Sequence, residues 1–142
     1  MILDAQNTFS DAQAVTASAA STNIIDTAAS RDIGAGEPME LIVICTETVT
    51  AAGAATVQFQ LRTDTASNMG TAEVIAETPA IGKASLTAGT EVFRIKLPRG
   101  LKRYIDLYYS VGTGPLTAGK FTAALTWGSR QDTATYPAGY AI

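Results

Sequence analysis

Acid–base or nucleophilic chemistry in this 142-residue chain would fall to its thirteen carboxylates or its single thiol, because the sequence contains no histidine. That absence excludes a Ser–His–Asp triad, a Cys–His pair, a histidine metal site and a histidine pH switch. A lone Cys45 excludes an intrachain disulfide and any multi-cysteine zinc or iron–sulfur centre. It closes the aliphatic run Leu41–Cys45 with no group to activate a thiolate, and so reads as a small core residue. Glu73 and Glu77 fall on the same side of a strand, and Asp106 projects with Tyr104 and Tyr108. A glycosidase needs two carboxylates flanking one bond at a set separation, one with a raised pKa. Nothing in the spacing supplies that, and isolated acids on a polar strand face are ordinary. Asp64-Thr65-Ala66-Ser67-Asn68 lacks the acidic spacing of a calcium loop, and Gly34-Ala35-Gly36 lacks the strand–glycine–helix setting of a phosphate loop. Both read as turns. The expectation is a protein that is not an enzyme and has no catalytic, cofactor-binding or metal-binding residue.

The remaining polar signals concern partners. Residues 1–50 carry seven acids and one base, whereas residues 51–142 carry six acids and nine bases. Five of the ten bases are Arg94, Lys96, Arg99, Lys102 and Arg103. This run reads either as a solvated strand face or as a basic rim that orients the molecule on an acidic partner surface. The acidic first third could also face this basic region across a self-complementary dimer. Tyr104 and Tyr108, on a polar face, read as interface residues, and Trp127 falls in the inner register of its strand. An aromatic platform of Tyr104 and Trp127 on one flat face would instead suit a carbohydrate-binding module. A pI near 4.8 argues against a nucleic-acid partner. The longest aliphatic run is too short to span a bilayer, and Met1-Ile2-Leu3-Asp4 lacks the basic and apolar regions of a signal peptide.

The elements that position these residues follow a period of two. Val57, Phe59 and Leu61 alternate with Gln58, Gln60 and Arg62 in a strand over Ala55–Thr63. Glu91–Leu97, Arg103–Val111 and Phe121–Trp127 alternate in the same way. The continuous apolar run in Glu40–Glu47 marks a central strand. Ala12–Ala19, Thr22–Asp26 and Glu73–Thr78 are weaker strands, and the best helical stretch, Asp64–Thr78, is broken by Gly70. Turn signals lie between them, including three Thr-Ala-(Ala)-Gly echoes ending at Gly53, Gly89 and Gly119, where glycine admits a positive φ before a strand. About eight short strands at this spacing predict one all-β domain over residues 1–142, an antiparallel sandwich of jelly-roll type with little or no helix. With 45 alanines and threonines against four phenylalanines and one tryptophan, the core is lean, which favours burial against a partner. The segments over about 1–10 and about 129–142 read as arms that lie against something.

Several stretches carry a more specific signal. Met1-Ile2-Leu3-Asp4-Ala5-Gln6-Asn7, continuing through Phe9–Thr16, resembles a family of capsid cement (decoration) proteins of tailed bacteriophages. So do Arg31–Pro38, Leu97-Pro98-Arg99-Gly100, Arg103-Tyr104, Gly114–Phe121 and Tyr136-Pro137-Ala138-Gly139, in order along the chain. The resemblance implies a jelly-roll structural protein of the virion, made in the host bacterial cytoplasm. It would sit on the outer capsid surface and bind the major capsid protein shell late in maturation. It further implies a homo-oligomer, dimer ahead of trimer, with no nucleic acid and no membrane as partner. Contact residues expected on this reading are Met1, Ile2, Leu3, Phe9, Arg99, Lys102, Arg103, Tyr136, Tyr140 and Ile142. Deleting Met1–Ser10 or Tyr136–Ile142 is expected to spare folding and lower capsid occupancy.

Overall fold

The computed structural model describes residues 4–30, 33 and 39–127, Trp127 through its backbone alone. Ten strands run through them: β1 Thr8–Ala14, β2 Ala19–Ala20, β3 Ile25–Asp26, β4 Met39–Thr50, β5 Thr56–Asp64, β6 Glu73–Glu77, β7 Ile81–Gly82, β8 Glu91–Lys96, β9 Tyr104–Gly112 and β10 Ala118–Trp127. Two single 3-10 turns, Ala5–Asn7 and Lys83–Ser85, are the helical elements among the described residues. One sheet has the order β1-β10-β4-β8. The other has the order β2-β9-β5-β6, with β3 also on β9 and β7 also on β5. β2 and β3 are two pieces of one track along β9, and β6 and β7 two pieces of one track along β5. Eight tracks therefore form two antiparallel four-stranded layers in the strand order of a jelly roll.

Alternation is obeyed where the sequence shows it. Val57, Phe59 and Leu61 on β5, and Ile105, Leu107 and Tyr109 on β9, are fully buried and face the other sheet. Leu41, Val43 and Cys45 of β4 join the same core, with Phe121, Ala123 and Leu125 of β10. Three rings knit the layers: Phe59 meets Phe121 edge-on at 5.1 Å and Tyr109 at 5.8 Å, and Tyr109 stacks on Phe121 at 5.5 Å. The Tyr109 hydroxyl donates to Ser10 Oγ at 2.8 Å, and Ser10 donates to Gln13 Oε1 at 2.6 Å. Burial pushes the Tyr109 phenol up to about 12, so it remains a donor.

Two glycines of the echoed turns take positive φ, Gly89 (+86°) and Gly119 (+153°); Gly53 does not. Gly119 lies where the β4–β10 register slips, and a Cβ there would come within 2.9 Å of the Val49 side chain.

The first strand departs from expectation. It spans Thr8–Ala14 rather than Ala12–Ala19, because Phe9 anchors its start in the core; Ala12, at φ +46°, sits in a register shift after which Gln13 and Ala14 pair with β10 again. Residues 8–10 are thus a structural strand and not an arm. Deleting Met1–Ser10 removes Phe9 and the Tyr109 hydroxyl's acceptor, so that truncation damages the fold instead of sparing it.

Cys45 is buried, and its Sγ–H donates to the Glu47 carbonyl at 3.1 Å. Burial pushes the thiol above its ordinary value. Alkylation of Cys45 in native protein is expected to run at least about 10³-fold slower than in denaturant, since reaction requires opening against several kcal/mol. A native rate within tenfold of the denatured one would contradict this burial.

Candidate interaction surface

Antiparallel pairing gathers the start of β1, the end of β10 and the turn from β8 to β9 at one end of the sandwich. β10 ends where Trp127 pairs with Met39, the first residue of β4. The Leu97 N–H bonds the Met39 carbonyl, so the turn from β8 to β9 leaves from this end too. β9 begins beside β3, with Tyr104 opposite Asp26. The turn Ala5–Asn7 completes it: Gln6 and Asn7 share a surface cleft of about 560 Å³ with Ile24, Asp26, Ile33 and Met39. Ile24 is one of two large apolar side chains exposed among the described residues.

The charges at this end are mostly committed within the chain. Arg103 grips Asp26 with Nε at 2.8 Å and Nη2 at 2.9 Å, and its guanidinium lies 5.0 Å from the Tyr104 ring. Lys102 pairs with Glu73 at 2.9 Å. Arg94 is held by Glu40 at 2.8 Å and Glu91 at 2.9 Å, while Lys120 pairs with Glu47. The acidic first third and the basic region do meet inside one protomer, through Asp26 with Arg103 and Glu40 with Arg94. Lys83 bonds the Ala51 carbonyl. Lys96 and Arg99, both exposed, are the two described cations with no ion-pair or hydrogen-bond partner.

The Arg103 guanidinium and the Ala28 N–H hold the Asp26 carboxyl down to about 2. Burial pushes Asp64 up, yet bonds from the N–H groups of Thr71, Ala66 and Thr65 and from the Thr71 hydroxyl outweigh it and leave this carboxyl lowered. A lowered folded pKa adds stability above the unfolded value of about 3.8 that is lost as pH falls through the folded value. The tie between the start of β9 and β3 is thus expected to persist at pH 4 and loosen towards pH 2. A carboxyl-carbon NMR titration with Asp26 midway near pH 4 would contradict it.

Phe9 is fully buried, so a partner cannot touch it, which corrects its place among the contact residues. Arg99 is exposed, and Lys102 and Arg103 are half-buried at the same end. Met1, Ile2, Leu3, Tyr136, Tyr140 and Ile142 lie outside the described residues, as does the segment over 129–142. Glu73 and Glu77 do not share a side: a bulge at Ile75 aligns Glu77 with outward Gln60 and Glu73 with inward Thr63. Asp106 shares the outer face of β9 with Tyr104 and Tyr108, but its side chain is wholly buried there and tied to Arg62. Among the described residues, no three acids or cysteines are placed to hold a metal ion.

A family model for Bbp16 matches residues 9–125, from the first strand of the sandwich into the last. The chain belongs to the Bbp16 family. No curated protein matches it. The match to the Bbp16 model begins at Phe9, the residue that locks β1 into the core, and so covers both sheets. Within this Bbp16-family sandwich, Tyr104 stands on β9 and Trp127 on β10, in different sheets. The sugar platform expected of Tyr104 and Trp127 would therefore draw on strands of two different sheets.

Proposed function

We propose that this chain is a structural virion protein, a cement protein that binds the outer surface of the major capsid protein shell of a tailed phage and stabilises the mature head. The supporting observation is the convergence at one end of the sandwich of the Asp4–Asn7 turn, the exit of β10 and the turn that carries unpaired Arg99. A single end offers a compact footprint, and many copies on a repeating lattice turn modest contacts into strong reinforcement. Arg99 is an exposed cation in that turn with no ion-pair partner among the described residues, so it orients docking on an acidic capsid surface. The protein acts without catalysis and assembles as a homo-oligomer, dimer ahead of trimer, which sedimentation equilibrium of the free protein checks.

The test is co-sedimentation with expanded phage heads that lack the protein. Saturable binding at a fixed ratio to capsid protein, with a rise in head melting temperature, is expected. Absence of binding by folded protein would overturn the proposal. Arg99→Glu is expected to weaken binding by about tenfold at low salt, the scale of one or two lost charge contacts, and less at high salt. Unchanged binding would remove Arg99 from the footprint. The truncation suited to this test begins at Asp4, which leaves β1 whole.

A further inference from the structure

The two lateral openings of the sandwich are closed unequally. On the β1 side, Ser21–Ile24 leaves its sheet and is stitched to the other: Asn23 N–H and Nδ2 bond the carbonyls of Phe9 and Thr8, and Thr22 N–H bonds Gln13. On the β8 side, pairing with β4 is unbroken over Phe93–Lys96 and continues to Leu97, and among the described residues no strand lies on the outer edge of β8. Leu97 donates to Met39, so by antiparallel alternation Phe93 and Ile95 also bond β4, while the N–H and C=O of Arg94 and Lys96 point to the open edge. Side chains alternate along the same stretch. Phe93, Ile95 and Leu97 lean half-exposed on the core, and Arg94 and Lys96 take the outer face. Arg94 is neutralised by Glu40 and Glu91, whereas Lys96 and the neighbouring Arg99 are not.

We propose that the β8 edge takes up an extended, acidic segment of another protein as a fifth strand of its sheet. On the capsid reading above, on which its biological setting rests, the segment belongs to the shell. Main-chain bonds from Arg94 and Lys96 supply the ladder, as in other cases of strand addition. Alternate residues of the incoming segment meet the Phe93–Leu97 apolar rim on one face and Lys96 on the other, with Arg99 at its end. Its sequence should therefore alternate apolar and acidic residues. A second copy of this chain is disfavoured here, because antiparallel β8–β8 pairing through the outward groups of Arg94 and Lys96 sets a cation of one copy opposite a cation of the other, Arg94 against Lys96 when the pair is centred on Ile95. The other edges suit strand addition less: β1 carries two register slips and the Ala12 kink, and β6 is bulged.

Backbone amide exchange tests this in the intact protein. On binding to expanded heads, exchange at Arg94 and Lys96 should slow by at least about tenfold. Lys96→Pro, which removes an outward N–H and leaves the β4 bonds of Ile95 and Leu97, should stay folded and lose binding by a similar factor. Binding to heads without protection at these two amides overturns the edge proposal and leaves the capsid reading standing. If heads are not bound, the capsid reading falls, and a pair of synthetic decapeptides decides the edge: one alternates glutamate and valine, the other lysine and valine. Protection by the acidic peptide alone supports strand addition; protection by neither, or by both equally, overturns it.

Discussion

Phe59→Ala is expected to lower the free energy of unfolding by about 3–5 kcal/mol. Phe59 is fully buried on β5 and touches two other rings of the core, Tyr109 on β9 and Phe121 on β10. It is therefore packed from its own sheet and from across the sandwich at once. Truncation removes the transfer free energy of the ring and two edge-to-face contacts, each of about 0.5–1.5 kcal/mol. The remaining cavity resists collapse, because β5 is pinned on both flanks by β9 and β6. Of the two rings that touch it, Tyr109 is tethered through its hydroxyl to Ser10 Oγ, which opposes its swinging into the space. Urea unfolding should show a lower midpoint at an unchanged slope. A cost below about 1 kcal/mol would mean that the three rings do not bear the core.

Residues whose burial follows from their own neighbours were legible, and residues buried by distant partners were not. The alternation in Val57–Leu61 and Ile105–Tyr109 places those side chains correctly, because hydrophobicity of period two can face only one way. The continuous run in β4 is also readable: Leu41, Val43 and Cys45 face the core, while Ile42 is buried on the opposite face, and β4 lies between β10 and β8. β1 escapes this logic. Apart from Phe9 its residues are small or polar, and Ser10 is buried because the Tyr109 hydroxyl, 99 residues away, points at it. Nothing local announces that partner, nor the bulge at Ile75 that splits Glu73 from Glu77.

The candidate surface divides along the same line. Clustering of bases between Arg94 and Arg103 is visible in one dimension, yet which of them are free depends on acids 54 and 77 residues away, Glu40 and Asp26. Lys96, omitted from the expected contacts, is unpaired for that reason, whereas Lys102 and Arg103 are paired. Arg99, in the turn after β8, pairs with none of the described acids.

The second large effect concerns Asp106, whose substitution by alanine is expected to cost about 3 kcal/mol. Its side chain is wholly buried opposite Arg62 on β5, and accepts from Arg62 Nε at 2.9 Å and also from Nη2. The guanidinium in turn lies 4.3 Å from the Tyr108 ring, so one carboxylate orients a cation and through it an aromatic side chain on the outer face of this sheet. Removing the carboxylate leaves Arg62 without a counter-charge, its side chain only 18% exposed and unable to regain full hydration. The partial exposure puts the loss at the low end of the range for broken buried pairs. Replacing both partners separates the pair's worth from the penalty of the orphan. Arg62→Met with Asp106→Leu should recover most of the stability lost in Asp106→Ala, because matched apolar groups need no desolvated charge. Denaturant midpoints of the three variants against the wild type make the comparison. If the double variant is less stable than Asp106→Ala, the pair contributes net stability in its own right, and the attribution of the loss to an unpaired arginine is wrong.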